Sequence, residues 1–319
     1  MTAKFILSLD CEGKWGVADH LTAHDHETLS DARLRAAYAG ILAALDEFDI
    51  PATFAFVGTF SLSAARLKAL TPALADFARD VPGYLEPALA DIAGGTKQGW
   101  TGDWAVEAVN GARTPHEIGL HGATHVPWTW PGMTPDMARR ELGLIYGARA
   151  PILARTTTFI FPRNRGDHPE LLDDFGIAGL RATREYPSRI ASLASEFNIF
   201  EKPEGVPPPA TPLSIPAGYF VNWLSGGRKL VPQAVSRLRA RRLLERAART
   251  GETVHYWTHP ENIASAPATL DLLRGILAEV AAMRDAGRCE VLTQDGWCRR
   301  VDPVHVVASE ARRDALLAR

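Results

Sequence analysis

The sequence has few cysteines, almost no net charge and no long apolar run. Its three cysteines cannot form a disulfide framework, and no CxxC pair suggests a structural zinc site. Thirty-five basic and thirty-seven acidic residues give a formal net charge of −2, which argues against a nucleic-acid-binding protein that relies on bulk charge. No apolar stretch approaches the roughly 20 residues that span a bilayer. We therefore expect neither a nucleic-acid partner nor a transmembrane segment.

The first apolar run of the chain resembles a buried strand and not a secretion signal. The apolar run 5–9 (FILSL) is far too short for the core of a secretion signal and has the composition of a buried strand. Hydrophobic residues make up 46% of the chain and charged residues 23%, as in ordinary globular proteins with a sizeable core. With so few cysteines, the expected compartment is the reducing cytoplasm.

Short strand-like runs alternate with longer helical ones along most of the chain. The runs typical of helices are 31–49, 63–80, 134–148, 232–250 and 267–286. The runs typical of strands are 4–10, 51–58, 116–121, 157–162, 177–183, 254–259 and 289–293. Repeated β–α units imply parallel strands with right-handed crossovers, and hence an α/β doubly wound sheet or barrel. Two segments without clear periodicity, at about 82–113 and 203–232, are interpreted as insertions.

Acids and histidines follow several of the predicted strands. In parallel α/β folds, functional groups collect where strands end at their carboxyl side. Asp10 and Glu12 end the first strand and, being two residues apart in an extended chain, point the same way. His121 and His125 follow the third strand, and His259 ends a late strand. We expect these side chains to meet at one rim.

The two histidines that follow the third strand have a spacing suited to a metal. Being four apart, His121 and His125 would share one face of a helical turn. Two imidazoles and one carboxylate, with a position open for water, are typical of catalytic zinc and related divalent ions. Either Asp10 or Glu12 could supply the carboxylate and leave the other as a base. A solvated surface pair is the alternative, but the facing acids favour the metal.

At this point the residues resemble the NodB-type polysaccharide deacetylases. The matching motifs are Asp10-Cys11-Glu12, Pro51-Ala52-Thr53-Phe54, the run 116–121 (HEIGLH) with His125, and Trp257-Thr258-His259, in the order that the family has them. The resemblance covers about residues 4–300 and implies a distorted (β/α)7 barrel with loop insertions. Residues 1–300 would form this single barrel, and 301–319 a C-terminal tail.

The resemblance also implies a set of roles. Asp10 would be the general base, His259 the general acid, and Glu12, His121 and His125 the ligands of a divalent metal. Zinc is the expected ion, with cobalt, manganese, nickel or iron as alternatives.

The motifs depart from the family pattern in three places. The first motif is Asp-x-Glu and not Asp-Asp, and Gly122 replaces the hydroxyl residue that usually follows the first histidine. The family has an arginine before a proline to orient the base, whereas here Arg163 follows Pro162. Arg163 would then reach the base by a different path. Arg163, Asn164 and Trp257 are the candidate substrate-binding residues.

The sequence thus predicts a metal-dependent hydrolase that removes an N-acyl group, acetyl or formyl, from an amino sugar. The expected substrate is a nucleotide- or lipid-linked precursor of a surface polysaccharide, made in the cytoplasm. The arginine-rich helix at 237–249 is either a solvated face or a seat for a substrate diphosphate. One alternative is an allantoinase-like ureide or imide hydrolase. Another is a carbohydrate-binding relative that has lost a member of the catalytic set. The oligomeric state stays open.

Overall fold

The computed structural model describes residues 1–203 and 210–318, and these form nine strands and thirteen α-helices, with four short 3-10 helices between them. The strands are β1 (Ala3–Cys11), β2 (Thr53–Phe56), β3 (Glu117–Leu120), β4 (Thr158–Phe159), β5 (Gly179–Arg181), β6 (Leu213–Ile215), β7 (Tyr219–Phe220), β8 (Thr253–Thr258) and β9 (Cys289–Leu292). The helices are α1 (Ala23–Thr28), α2 (Asp31–Phe48), α3 (Ala64–Phe77), α4 (Glu86–Ala93), α5 (Asp103–Asn110), α6 (Pro135–Gly147), α7 (Leu171–Asp174), α8 (Arg189–Ser195), α9 (Gln233–Thr250), α10 (Pro260–Ser265), α11 (Ala268–Asp285), α12 (Gln294–Val301) and α13 (Pro303–Leu317).

The pairings between these strands are parallel, as the β–α alternation predicts. The strand order is β6-β5-β4-β3-β2-β1-β8-β7, and β9 pairs with the first half of β1. Nearly all of β1 is buried, because it has partners on both edges. Its carboxyl end therefore brings Asp10 and Glu12 to the middle of the sheet.

The sheet curls into a barrel. Strands β6 and β7 lie at opposite ends of the strand order, yet only residues 216–218 separate them. Four Cα steps reach at most about 14 Å, at up to 3.6 Å per residue. In a flat sheet, eight strands spaced about 4.8 Å apart would place the edge strands about 34 Å from each other. The edges must therefore come together, and the expected α/β barrel-like fold is confirmed.

The first predicted insertion, 82–113, is more regular than its composition suggested. It forms α4 and α5, which are eight residues each and too short to show a clear helical period. Its Trp100 is fully buried and packs edge-on against Trp15, while Tyr84 reaches the histidine loop after β3.

The second insertion and the C-terminal tail also carry regular structure. Strands β6 and β7 lie within 203–232, of which residues 204–209 fall outside the described part of the chain. In the expected tail 301–319, α13 buries Val306 and Arg313 donates to the carbonyl of Thr156. The predicted domain limits stay a prediction.

The helices that flank the sheet begin where the sequence indicated. Thr134 caps α6 by accepting from the Met137 amide, and Pro135 occupies the first helical position. Helices α2, α9 and α11 pack together beside the central strands. Among the described helices, none is long and apolar enough to cross a membrane.

Candidate active site

Three predicted metal ligands converge at the carboxyl ends of β1 and β3. The Oε1 atom of Glu12 lies 3.1 Å from Nε2 of His121 and 3.0 Å from Nε2 of His125. The three candidate ligand atoms all lie within 4.8 Å of one another. Both imidazoles are buried, and Glu12 is largely so. One carboxylate and two imidazoles form the donor set that catalytic zinc sites use.

The histidine loop reaches this geometry without a helical turn, so the expectation that His121 and His125 share a helix face was wrong. Gly122 and His125 have φ angles of 72° and 64°, in the left-handed region, and they turn the chain back on itself. A Cβ on residue 122 would lie 2.8 Å from Cγ of Pro162. This close approach explains why glycine stands where the family has a hydroxyl residue.

Hydrogen bonds orient the two imidazoles so that Nε2 of each faces Glu12. Nδ1 of His121 donates to the carbonyl of Ile160 at 2.9 Å, which leaves the Nε2 lone pair free for a metal. The Tyr84 hydroxyl donates to the His125 carbonyl at 2.6 Å and accepts from Nδ1 of the same histidine at 3.2 Å. These contacts fit a divalent ion at Nε2. No motif in the sequence indicates Tyr84, because this residue lies in the insertion at 82–113.

Arg181 orients the predicted base. Its Nη1 and Nη2 atoms donate to Oδ1 and Oδ2 of Asp10 at 2.8 and 2.6 Å. Burial alone would raise the pKa of Asp10, but Arg181 and, more weakly, His121 and His259 outweigh it and hold the pKa below its usual value. Asp10 is therefore ionised, and a bidentate salt bridge with Arg181 fixes the orientation of its carboxylate.

We expected Arg163 to reach the base Asp10 by a different path, but the structure shows Arg163 bound to another residue. Arg163 pairs with Asp19 at 2.5 Å and lies over the ring of Tyr84. The neighbouring Asn164 contributes instead, since its Oδ1 accepts from Nη2 of Arg181 at 2.5 Å. Arg181 is a charged residue within the predicted strand 177–183. This position is the feature of the sequence that indicates a buried partner for Arg181.

A buried chain of hydrogen bonds supports Arg181 from behind. Its Nη1 donates to Oγ of Ser8 at 2.9 Å, and this oxygen lies 2.9 Å from Nε2 of His255. Nδ1 of His255 donates to the carbonyl of Pro216 at 2.6 Å. Burial and the charge of Arg181 lower the pKa of His255 to about 3, so this imidazole is neutral.

The predicted acid lies beside both carboxylates. Nε2 of His259 is 3.3 Å from Oε1 of Glu12 and 3.9 Å from Oδ2 of Asp10. Burial would lower the pKa of His259, but Glu12 and then Asp10 outweigh it and raise the pKa to about 9. This imidazole is protonated at neutral pH and is suited to donate a proton.

A cavity of about 750 Å³ opens next to His259. Its wall includes Arg163, Asn164 and Trp257, which are the three predicted substrate-binding residues. The Trp257 ring lies 4.7 Å from that of Phe220, centroid to centroid. The structure thus brings these residues to one cavity, and substrate binding by them stays a prediction.

The arginines of the predicted basic helix lie outside the wall of this cavity. None of the described residues of α9 lines this cavity. Arg239 is buried and pairs with Glu196 and Glu201, and Arg241 pairs with Glu279. The arginines in the cavity wall come from other segments and are Arg163, Arg165, Arg184 and Arg228.

Solved structures share this barrel. A protein from Mycobacterium smegmatis assigned as a polysaccharide deacetylase is 17% identical, with a TM-score of 0.62 over 95% of this chain and 91% of that one. A second protein so assigned, from Pseudomonas aeruginosa PAO1, is 10% identical, with a TM-score of 0.59 over 95% and 92%. Puue allantoinase is 14% identical, with a TM-score of 0.53 over 95% and 91%.

These likenesses concern the fold, since the sequence identities are low. No protein-family model matches the sequence, and no curated protein matches it significantly. The chain has the fold of the polysaccharide deacetylases. The resemblance that the motifs indicated is thus confirmed at the level of the fold.

Proposed function

We propose that this protein is a metal-dependent hydrolase that removes an N-acyl group from an amino sugar. The observation that carries the proposal is the convergence of Glu12, His121 and His125 on one point, with Asp10 and His259 beside them. The donor set favours zinc, and cobalt, manganese, nickel and iron are alternatives. A divalent ion held there would polarise the amide carbonyl and lower the pKa of water.

The protein's own groups then move the protons. Asp10, held ionised by Arg181, accepts a proton from the attacking water at Oδ2. His259 is protonated and donates from Nε2 to the departing amine. An acid and a base whose environments push their pKa values apart are what amide hydrolysis requires.

The cavity supports a substrate larger than a simple amide. Its volume of about 750 Å³ is within the usual range for ligands of drug size. Trp257 and Phe220 offer aromatic faces for a sugar ring. Arg165 in the wall suits a phosphate, so the proposed substrate is an N-acetyl or N-formyl amino sugar on a nucleotide or lipid diphosphate.

Precursors of this kind are made in the cytoplasm, where we place the protein. All three cysteines are buried free thiols, which is compatible with a reducing compartment. The carbohydrate-binding alternative expects one member of the catalytic set to be lost. The five residues lie together here, which speaks against that alternative.

A substrate panel with and without chelation tests the proposal. N-acetyl and N-formyl nucleotide sugars, chito-oligosaccharides and allantoin would be incubated with the protein, and release of acetate, formate or ring-opened product measured. We expect acyl release from the amino sugars, lost on chelation and restored by Zn²⁺. Turnover of allantoin alone would establish the ureide hydrolase instead. No turnover of any compound by metal-loaded protein would contradict the proposal.

A further inference from the structure

Each loop that carries proposed metal ligands is held by a buried glutamate from a helix outside that loop. Glu141 of α6 is fully buried, and its Oε1 accepts from the amides of Ala123 and Thr124 at 2.7 and 2.6 Å. The same oxygen accepts from Oγ1 of Thr124 at 2.9 Å. One carboxylate oxygen thus binds three donors between the ligands His121 and His125.

The second glutamate makes the equivalent contact with the other loop. Glu261 of α10 is 8% exposed, and its Oε1 accepts from the amides of Glu12 and Gly13 at 3.0 and 2.5 Å. It lies two residues after His259. The α10 turn therefore fixes the backbone of the ligand Glu12 relative to the predicted acid.

Burying a carboxylate at either position carries an unfavourable free energy of desolvation. Taking a charge or a strong acceptor out of water is unfavourable unless hydrogen bonds replace the lost solvent. An apolar side chain of similar volume would fill the space without this free energy of desolvation, but it would leave the loop amides without an acceptor. Each glutamate must therefore be explained by the loop that it holds, and each loop delivers metal ligands.

We propose that Glu141 and Glu261 are positioning residues that fix the ligand backbones so that the side chains of Glu12, His121 and His125 converge on one ion. The inference rests on the metal site of the proposed function and extends it to residues that hydrogen-bond the loops of that site and not the side chains of its ligands. Outer-shell partners of this kind affect metal affinity about 10- to 100-fold when removed.

The chain offers a matched control in Glu117. This carboxylate is also held by a cluster of donors, accepting from Oγ1 of Thr53 at 2.7 Å, from Oγ1 of Thr158 and from the Asp295 amide at 2.9 Å. It begins β3, whereas His121 follows the end of that strand, about 13 Å further on at 3.3 Å per residue. Its removal should destabilise the barrel without disturbing the metal.

The experiment measures metal affinity in the full chain without reference to turnover. Wild type and the Ala and Gln variants of Glu141, Glu261 and Glu117 would be titrated with Co²⁺ against a chromophoric chelator. The visible spectrum of bound Co²⁺ would be recorded alongside Tm. We expect Glu141→Ala and Glu261→Ala to weaken Co²⁺ binding about 10- to 100-fold and to alter the spectrum. The Gln variants keep the acceptor and lose less, while Glu117→Ala lowers Tm at unchanged affinity.

Two results would overturn the inference. One is wild-type affinity and spectrum in the folded Ala variants of Glu141 and Glu261. If the Ala variants do not fold, Glu141→Met and Glu261→Met, which fill the space without offering an acceptor, decide the question. The other is an equal loss of Co²⁺ affinity in Glu117→Ala, which would show that general destabilisation of the protein explains the weaker metal binding. Wild-type protein that binds no divalent ion would instead remove the metal site of the proposed function, and this inference with it.

Discussion

The guanidinium of Arg181 binds both carboxylate oxygens of Asp10, and the two side chains are almost completely buried. Arg181 ends β5 and Asp10 lies near the end of β1, so the pair joins strands that are not neighbours in the sheet. This ion pair fixes the direction of the carboxylate and keeps it ionised. The barrel therefore holds its candidate base ready for proton transfer.

Breaking this pair should be costly. Arg181→Met leaves the Asp10 carboxylate buried without its partner, and we expect the free energy of unfolding to fall by about 3–5 kcal/mol. Urea unfolding at pH 7 measures this. The control is Arg241→Met, which removes a surface pair with Glu279 and should change the free energy of unfolding far less. A similar small loss in Arg181→Met would contradict the role assigned to the pair.

Metal content should depend on the histidine loop. His125→Ala removes one of three ligands, so we expect the copurifying divalent ion and the hydrolytic activity to be lost together. His20→Ala, which changes an exposed histidine, is the control and should keep both. Elemental analysis by mass spectrometry gives the metal stoichiometry. Full turnover by exhaustively chelated wild type would show that the ligands are misassigned.

The site was predictable where local sequence determines position. Asp10, Glu12 and His259 follow from the rule that parallel strands present their carboxyl ends at one rim, and the structure places them there. Arg181 and Tyr84 were missed because their roles depend on contacts between segments far apart in the chain. The loop shape at His125 was missed because a four-residue spacing does not distinguish a helical turn from a left-handed loop.

The strands, too, were predictable only where the local sequence indicates them. The seven runs with clear strand composition became β1–β5, β8 and β9, whereas β6 and β7 went unseen in a proline-rich stretch. These two strands are as short as β4 and β5, but prolines and a glycine interrupt the sequence around them, so no apolar run indicates a strand. Their pairing with β5 and β8, and not local preference, makes them strands.

Asp10→Asn tests the base. The substitution keeps the shape and one hydrogen-bond acceptor for Arg181 but cannot take up a proton. We expect kcat to fall by about 10²–10⁴ while metal content stays at the wild-type level. Steady-state kinetics with elemental analysis checks both. Loss of the metal in this variant would show that Asp10 is a ligand and that the two carboxylates have exchanged roles.

His255 should make the protein sensitive to mild acid. Its folded pKa of about 3 lies below the unfolded value near 6.5, so the unfolded state takes up the proton first. The stabilisation is present above pH 6.5 and is lost as the pH falls from there towards 3, by up to about 1.4 kcal/mol per pH unit. His255→Gln can keep the contacts with Ser8 and Pro216, and its stability should change less between pH 7 and 5. Equal slopes in urea titrations of both proteins would contradict the assignment.

His259→Ala tests the acid. Activity requires Asp10 ionised and His259 protonated, so kcat/KM of the wild type should be bell-shaped with pH. The alkaline limb reports the loss of the proton from His259, so activity falls as the pH rises through the pKa of this imidazole. Removing the imidazole should lower kcat by about 10²–10⁴ and abolish that limb, with metal content unchanged. His24→Ala, in an exposed segment, should leave the whole profile intact. If His259→Ala keeps the alkaline limb and near wild-type turnover, His259 only packs at the end of β8, and another group protonates the leaving amine.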